Sequence, residues 1–202
     1  MDILYSDKNI IVCNKPVGLD SEKQVPEKLK EQFFGDIYTL HRLDLNVGGV
    51  MVYARNKHTA ALLSKSIQDG YMIKEYLAFV HGEIEEKGIL EDLLFKDSRK
   101  NKVFIVKKER KGVKKAKLEY KRIKIENNQS LVHIRLYTGR SHQIRVQFAS
   151  RKHPLVGDHK YGSKDERKEP MLFSYRITFP YLGNIVSYEA YPKWREEDWK
   201  KD

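Results

Sequence analysis

Apolar residues are concentrated in short runs along the chain, and most of these runs predict β-strands. Along KEYLAFVHG, Tyr76 and Val80 alternate with Leu77 and Phe79, so both faces of this segment are apolar. A strand that is apolar on both faces belongs inside a sheet that has layers on each side. The full set of predicted strands is Ile10–Asn14, Ile37–Leu40, Val50–Ala54, Tyr76–His81, Leu118–Ile125, Leu131–Leu136, Leu172–Phe179 and Ile185–Ala190.

Three segments carry helix signals instead, near residues 25–35, 56–70 and 141–152. Pro26 suits the start of the first helix. Asn56 is placed to cap the second, which Gly70 would end, and Ser141 is placed to cap the third. Many strands with three scattered helices predict an α+β fold, built as a mixed, largely antiparallel sheet with flanking helices.

Composition is typical of a globular protein and excludes several classes. The chain has 202 residues, 40% of them hydrophobic, and no apolar run approaches the ~20 residues of a membrane span. The single cysteine, Cys13, excludes an internal disulfide and a multi-cysteine zinc site. The N-terminus lacks the regions of a signal peptide, so we expect a cytoplasmic protein. Since no linker or repeat divides the sequence, residues 1–202 are predicted to form a single domain.

Positive charge is concentrated in one part of the sequence. The net charge is +11, and residues 96–124 contain 14 basic and 3 acidic side chains, while the rest of the chain is balanced. The strand-like runs VFIV and KLEYKRI interrupt these charges, so the segment is predicted to fold as a basic hairpin at about 96–124. Such a segment indicates a polyanionic partner, with nucleic acid favoured. The alternative is a hairpin whose charges are only solvated.

The segment HRLDLNVGG, residues 41–49, contains the first candidate for chemistry. It lies between two predicted strands, and Asp44 within it is flanked by Leu43 and Leu45. A half-buried carboxylate is destabilised unless a cation or hydrogen-bond donors compensate it. Arg145 in TGRSHQIR is the natural partner, because a guanidinium binds a carboxylate through two hydrogen bonds. Such a pair would keep Asp44 ionised and oriented.

Alternative interpretations remain open for these residues. Asp44 could be a turn residue or a structural ion-pair partner. His41, Asp44 and His142 could bind a transition metal, although the neighbouring arginines disfavour a cation. Tyr76 could be a core aromatic residue, or a ring that stacks on a flat ligand. The segment HPLVGDHKYG, residues 153–162, is predicted to shape the site. No motif for a phosphate-binding loop or a nucleotide cofactor is present.

Five segments together resemble the RNA pseudouridine synthases, specifically their RluA-like branch. They are NIIVCNKPVGL (9–19), HRLD (41–44), KEYLAFVHGEI (74–84), TGRSHQIRVQFAS (138–150) and HPLVGDHKYGS (153–163). The match covers nearly the whole chain, in the order and at the spacings of that family. It implies the pseudouridine synthase catalytic fold, with an RNA cleft on one face.

The resemblance also implies roles for individual residues. Asp44 would be the essential catalytic carboxylate, Tyr76 would lie against the target base, and Arg145 would pair with Asp44. Arg42 would help the base to leave its stack. The remaining substrate contacts would be His41, Arg140, His142, Lys107, Lys108, Lys114 and Lys115. The implied reaction is isomerisation of specific uridines in structured ribosomal or transfer RNA, without metal, nucleotide or other cofactor.

Two departures from the family pattern bear on function. Val47, Gly48 and Gly49 stand where the family commonly has Thr-Ser-Gly, so hydroxyl groups are lost beside the catalytic loop. Only eight residues precede the first motif, so we expect no S4-type RNA-binding domain and a larger role for the basic segment in RNA selection. A non-catalytic RNA-binding or assembly protein that retains the fold is therefore the alternative. The sequence does not define the oligomeric state, and a monomer is the working expectation.

Overall fold

A computed structural model of the protein describes residues 1–194. Within that range the chain forms eleven strands and three helices. The strands are β1 (Asp2–Ser6), β2 (Ile10–Lys15), β3 (Tyr38–Thr39), β4 (Gly48–Ala54), β5 (Ile73–His81), β6 (Lys87–Asp97), β7 (Lys102–Val106), β8 (Val113–Glu126), β9 (Gln129–Leu136), β10 (Leu172–Tyr181) and β11 (Asn184–Glu189). The helices are α1 (Gln24–Lys30), α2 (Lys57–Gln68) and α3 (Gln143–Ala149). The predicted α+β class is confirmed.

The three helices lie where the sequence predicted them, with differences at their ends. The Asn56 side chain caps α2 as predicted, accepting a hydrogen bond from the Thr59 N–H at 2.8 Å. Helix α1 ends at Lys30, so the prediction of an end at Gly35 was wrong by more than one turn. His142, with a left-handed φ of 49°, precedes α3 in place of the predicted cap Ser141.

Residues 1–74, together with the stretch that begins at Phe173, form one compact unit. Its strands are ordered β1-β2-β4-β10, with β3 on β4 and β11 on β10. All pairs are antiparallel except β4 with β10. At that parallel pair, a Cβ on Gly49 would lie 2.2 Å from the Ser174 carbonyl oxygen, and its φ is 126°. Glycine is therefore required where the Asp44-bearing loop enters β4.

Residues Glu75–Leu172 form the second compact unit. Its strands are ordered β5-β9-β8-β6-β7. Helix α3 covers one face of the outer strands, where Val146 packs against Leu94, Val103 and Ala116. The division into two units does not test whether the chain acts as a single domain, which remains a prediction, as does an RNA cleft.

The basic segment differs from the predicted hairpin. Strands β7 and β8 do not pair with each other, because both pair with β6, one along each edge. Strand β6, KGILEDLLFKD, which was not predicted from the sequence, therefore lies between them. The segment is folded, as expected, but it consists of the β6–β7 hairpin with β8 on the far edge of β6. Among the described residues, no helix is long and apolar enough to cross a membrane.

Candidate active site

Asp44 lies in a turn whose backbone is well defined by hydrogen bonds. We call residues 41–49 the Asp44 loop. The Asp44 carbonyl oxygen accepts a hydrogen bond from the Val47 N–H at 3.0 Å. Leu43 is buried and Leu45 is 51% exposed, so Asp44 itself lies half-buried at the boundary between core and solvent. This is the setting predicted from the sequence.

A buried lysine, Lys15, holds the Asp44 loop at Leu45, the residue that follows Asp44. Its side chain is fully buried, and its ammonium donates to the carbonyl oxygens of Pro16, Leu19 and Leu45 at 3.0, 2.8 and 3.4 Å. The Gly18 N–H also donates to the Leu45 carbonyl oxygen, at 2.9 Å. The NKPVGL segment therefore holds the residue that follows Asp44 by its backbone.

Electrostatics tie Lys15 to the same loop. Burial lowers the pKa of the Lys15 ammonium to about 8, against the opposing attraction of the Asp20 and Asp44 carboxylates. At neutral pH the ammonium is still protonated, so a buried positive charge interacts with the Asp44 carboxylate. Sequence analysis missed this residue, because a lysine at the end of a strand ordinarily lies at the surface.

A buried serine fixes the other side of Asp44. The Ser21 hydroxyl donates to the Leu43 carbonyl oxygen at 3.1 Å and accepts from the Leu43 N–H at 3.3 Å. The Ser21 carbonyl oxygen in turn accepts from the buried Tyr53 hydroxyl at 2.8 Å. Asp44 is therefore the residue between two positions, Leu43 and Leu45, whose main-chain groups are bound by buried side chains.

His41 is placed inside the protein. It is buried, its Nε2 accepts from the Val52 N–H at 3.3 Å, and its Nδ1 has no hydrogen-bond partner among the described residues. Burial, with a smaller contribution from the nearby charge of Lys74, lowers the pKa of its imidazole to about 3. A neutral, buried His41 supports the loop, and its predicted contact with substrate has no support in this placement.

Arg42, by contrast, is exposed and carries its charge at the surface. Its guanidinium forms an ion pair with Glu22 at 3.0 Å, in which both side chains are about half exposed. Such exposed pairs contribute little to stability, typically ~0–1 kcal/mol. Arg42 can therefore exchange Glu22 for another anion at little cost.

Arg145 is held by a buried ion pair with Asp158. The Arg145 Nε and Nη2 atoms donate to the two Asp158 carboxylate oxygens at 2.7 and 2.8 Å. The two side chains are only 10% and 1% exposed. The guanidinium also lies 5.3 Å from the centre of the Tyr161 ring. The sequence predicted Arg145 as a carboxylate-binding residue, but it did not identify Asp158 or Tyr161 as partners.

Tyr76 lies in the interior of β5. It is 6% exposed, and the strand is buried from Glu75 to Val80, which confirms a strand covered on both faces. Next to it, the Glu75 carboxylate contacts the His133 imidazole at 2.9 Å. A role for Tyr76 against a base remains a prediction.

The other two basic residues of the TGRSHQIR segment lie around the start of α3. Arg140 is exposed, and its Nε donates to the Lys115 carbonyl oxygen at 3.0 Å. His142 is half-buried, and its Nδ1 lies 2.8 Å from the Tyr161 hydroxyl. Both lie within the second unit with Arg145, as their shared motif predicted.

The four predicted RNA-contacting lysines do not form one surface. Lys107 and Lys108 are exposed in the segment that follows β7. Lys114 and Lys115 are adjacent on β8 and pair with Leu94 and Leu93 of β6. Because side chains alternate along a strand, Lys114 lies on the face that α3 covers and Lys115 on the opposite face.

The family of the chain follows from comparison with known proteins. A family model described as RNA pseudouridylate synthase matches residues 9–150. The match contains the Asp44 loop, the strand that carries Tyr76 and the helix that carries Arg145. Because it covers well over half of the 202 residues, the chain belongs to this family, and the resemblance seen in the sequence is confirmed.

Curated relatives support the RluA-like assignment. Dual-specificity RNA pseudouridine synthase RluA of Vibrio parahaemolyticus is 34% identical, over 87% of this chain and 73% of the relative. tRNA pseudouridine synthase C of Haemophilus ducreyi is 31% identical, over 83% and 76%. Ribosomal large subunit pseudouridine synthase D of Borreliella burgdorferi is 32% identical, over 87% and 60%. The chain thus spans about 60 to 76% of the length of these relatives.

Solved structures confirm the fold. The structure of human RNA pseudouridylate synthase domain containing 1 superposes with a TM-score of 0.82, over 95% of this chain and 83% of the human chain. Its sequence identity is 24%, so this likeness establishes the fold alone. The predicted pseudouridine synthase fold is therefore confirmed.

Proposed function

We propose that this protein isomerises specific uridines to pseudouridine in structured ribosomal or transfer RNA, as a cytoplasmic monomer that needs no cofactor. Family membership supports the reaction. The names of the relatives, which include a tRNA synthase and a ribosomal large subunit synthase, support the substrate class. The observation that carries the proposal is Asp44, a half-buried carboxylate on a backbone that buried side chains hold on both sides.

The reaction requires one ionised carboxylate and a closed pocket. The bond between N1 of uracil and C1′ of ribose breaks, the base rotates, and a bond forms between C5 and C1′. The proton on C5 is then lost, and N1, which carries no hydrogen in uridine, gains a proton in the product. Asp44 would act as nucleophile or base. Arg145, already fixed by Asp158, would pair with Asp44 and keep it ionised.

Several other residues would hold the RNA. Tyr76 would lie against the base, and Arg42 would help the uridine to leave its stack, at a cost of a few kcal/mol. Arg140 and His142 would contact phosphates near the start of α3. The basic segment would contact the RNA backbone through Lys107, Lys108, Lys114 and Lys115.

Release of tritium from carbon 5 tests the proposal directly. We would incubate the protein with unmodified ribosomal and transfer RNA transcripts that contain [5-³H]uridine. We expect release in the presence of a chelator, and a fall of at least ~10³-fold in Asp44→Asn. Asp69→Asn, at the exposed end of α2, is the matched control and should release tritium normally.

Each other outcome has a definite meaning. If the wild-type protein binds these transcripts but releases no tritium from any of them, the non-catalytic alternative is correct. If a chelator abolishes activity, the metal-dependent alternative involving His41, Asp44 and His142 replaces the proposal. If Asp44→Asn retains full activity, Asp44 is not the catalytic carboxylate.

A further inference from the structure

We propose that Asp158 and Tyr161 are positioning residues, which fix the direction of the Arg145 guanidinium for its part in the proposed reaction. This inference rests on the proposed function, because it assigns a role to two residues that take no direct part in the proposed reaction. We call Asp158, Tyr161 and His142 the Arg145 seat. All of them lie with Arg145 in the second compact unit.

The contact between Arg145 and Asp158 fixes orientation as well as position. Both carboxylate oxygens of Asp158 are engaged, one by Nε and one by Nη2. A two-pronged contact of this kind prevents rotation of the planar guanidinium, which a single hydrogen bond would permit. It engages two of the five N–H groups of the guanidinium.

Asp158 is itself fixed by its backbone. Its carbonyl oxygen accepts from the N–H groups of Tyr161 and Ser163 at 3.0 and 3.1 Å, and its own N–H donates to the Leu155 carbonyl oxygen at 3.0 Å. The preceding residue, Gly157, has a φ of 82°, and a Cβ there would lie 2.0 Å from the Glu169 carbonyl oxygen. The carboxylate is therefore presented by a tight turn that tolerates little movement.

Tyr161 contacts both the Arg145 guanidinium and the elements around it. Its ring lies 5.3 Å from the Arg145 guanidinium carbon, in the range of a cation–π contact. Its hydroxyl oxygen accepts from the Val103 N–H of β7 at 2.9 Å. The hydroxyl also contacts His142 Nδ1 at 2.8 Å. Tyr161 therefore links the outermost strand of this unit to the start of the helix that carries Arg145.

Stability alone is a poor explanation for this arrangement. A buried ion pair is often no more stable than apolar residues of similar volume, because both charges lose their hydration. The loss of hydration is accounted for if the orientation of Arg145 matters for the reaction. A displacement of about 1 Å at a reacting group can cost on the order of 10²-fold in rate. A rigid support for a guanidinium that takes part in the proposed reaction is such a use.

The test separates rate from binding. In Asp158→Asn the amide keeps the shape, but the negative charge is lost and only one of the two oxygen acceptors for Arg145 remains. We expect the single-turnover rate of tritium release to fall ~10- to 100-fold, while the Kd for the transcripts changes less than about twofold. Tyr161→Phe, which keeps the ring and loses the hydroxyl, should show a smaller fall in the same rate.

A matched control addresses general destabilisation. Asp92 forms a less buried ion pair with Arg151, at 2.9 Å, and also accepts a hydrogen bond from Gln147 of α3 at 2.7 Å. Asp92→Asn should lower the melting temperature without changing the rate at a temperature where the variant is folded. If Asp92→Asn and Asp158→Asn lose rate equally, Asp158 has only a structural role.

A double-mutant cycle shows whether Asp158 acts through Arg145. In an Arg145→Gln background, Asp158→Asn should reduce the rate less than threefold further, because the group it positions is already absent. An equal fall in both backgrounds would overturn the inference. A wild-type protein that is active while Asp158→Asn is unaffected would also overturn it and leave the proposed function intact. Inactivity of the wild-type protein on every transcript would instead remove the proposed function.

Discussion

The Asp44 loop and the Arg145 seat hold opposite charges by different means. Around Asp44 the buried side chains of Lys15 and Ser21 bind main-chain groups of the neighbouring residues. Around Arg145 the contacts are made to the side chain itself, through the Asp158 carboxylate and the Tyr161 ring. One region fixes a backbone, and the other fixes a functional group.

The difference matches what each group must do in the proposed reaction. A nucleophile or base changes its bonding during the reaction, so its side chain needs some freedom to move while its backbone stays fixed. A group that only stabilises charge gains most from complete preorganisation. We infer that substitutions in the Asp44 loop act through backbone placement, whereas substitutions in the Arg145 seat act through the direction of one guanidinium.

Lys15→Met should give the largest effect outside the two charged groups themselves. Methionine fills a similar volume but donates no hydrogen bond to the Leu45 and Leu19 carbonyl oxygens. We expect the single-turnover rate to fall at least ~10²-fold, which is about 2.7 kcal/mol in the barrier, because the backbone next to Asp44 is released. Quantitative single-turnover tritium release measures this effect.

Stability should fall in the same variant by less than the lost hydrogen bonds alone would imply. Lost hydrogen bonds cost about 1–3 kcal/mol for each buried carbonyl left unpaired. Removal of a buried cation whose pKa is lowered to about 8 returns a gain of similar size, about 3 kcal/mol. Lys28→Met, on the exposed side of α1, is the control and should change neither quantity. A Lys15→Met rate within threefold of wild type would show that the loop needs no such anchor.

Elements of the fold could be predicted where neighbouring residues in the sequence determine them. Strands with a continuous apolar run, such as Val50–Ala54, and the capped helix after Asn56 were predicted correctly from local sequence. Strand β6 was missed because its sequence does not alternate cleanly between apolar and polar residues. Leu90 and Leu94 lie on the face that α3 covers, and Leu93 and Phe95 on the other face are also apolar. Charged residues are interspersed among them. Without that strand, β7 and β8 were paired with each other. Strand partners are set by contacts distant in sequence, which periodicity does not encode.

The site showed the same limit. Asp44 and Arg145 were identified because each lies in a recognisable motif. Lys15 also lies in one of the family motifs. Its burial, however, depends on the turn that follows it and on Leu45, which is 30 residues away. Asp158 is 13 residues from Arg145, and its turn looked like a shaping loop.

The pH dependence of stability gives a test of the Asp44 loop alone, with an intermediate effect. Burial holds the pKa of His41 at about 3 in the folded protein, against ~6.5 in an unfolded chain. Between these values only the unfolded chain binds the proton, so stability is complete above pH 6.5 and is lost as pH falls. From pH 7 to pH 5 the free energy of unfolding should decrease by about 2 kcal/mol on this account.

His41→Gln isolates this contribution. Glutamine can still accept the hydrogen bond from the Val52 N–H, but it does not titrate. In urea unfolding at pH 7 and pH 5, the wild-type protein should lose about 2 kcal/mol more than the variant, since other groups titrate equally in both. Parallel losses in the two proteins would mean that His41 becomes protonated in the folded loop, and the loop would then be more open than its buried imidazole indicates.

The smallest effect should come from charges outside both regions, and it distinguishes the two faces of the outer strands. Lys114 lies on the face that carries α3 and Arg145, whereas Lys115 lies on the other face and pairs with Glu109 at 3.1 Å. Lys114→Gln should weaken RNA binding by about 0.5–1 kcal/mol and reduce the slope of log Kd against log salt by ~0.7. Lys115→Gln should change the slope less, because its charge is already partly compensated. Neither should alter the rate with saturating RNA, since both leave the Asp44 loop and the Arg145 seat intact. Filter binding at several salt concentrations gives the slopes, and a larger change for Lys115→Gln would place the RNA on the face opposite to α3.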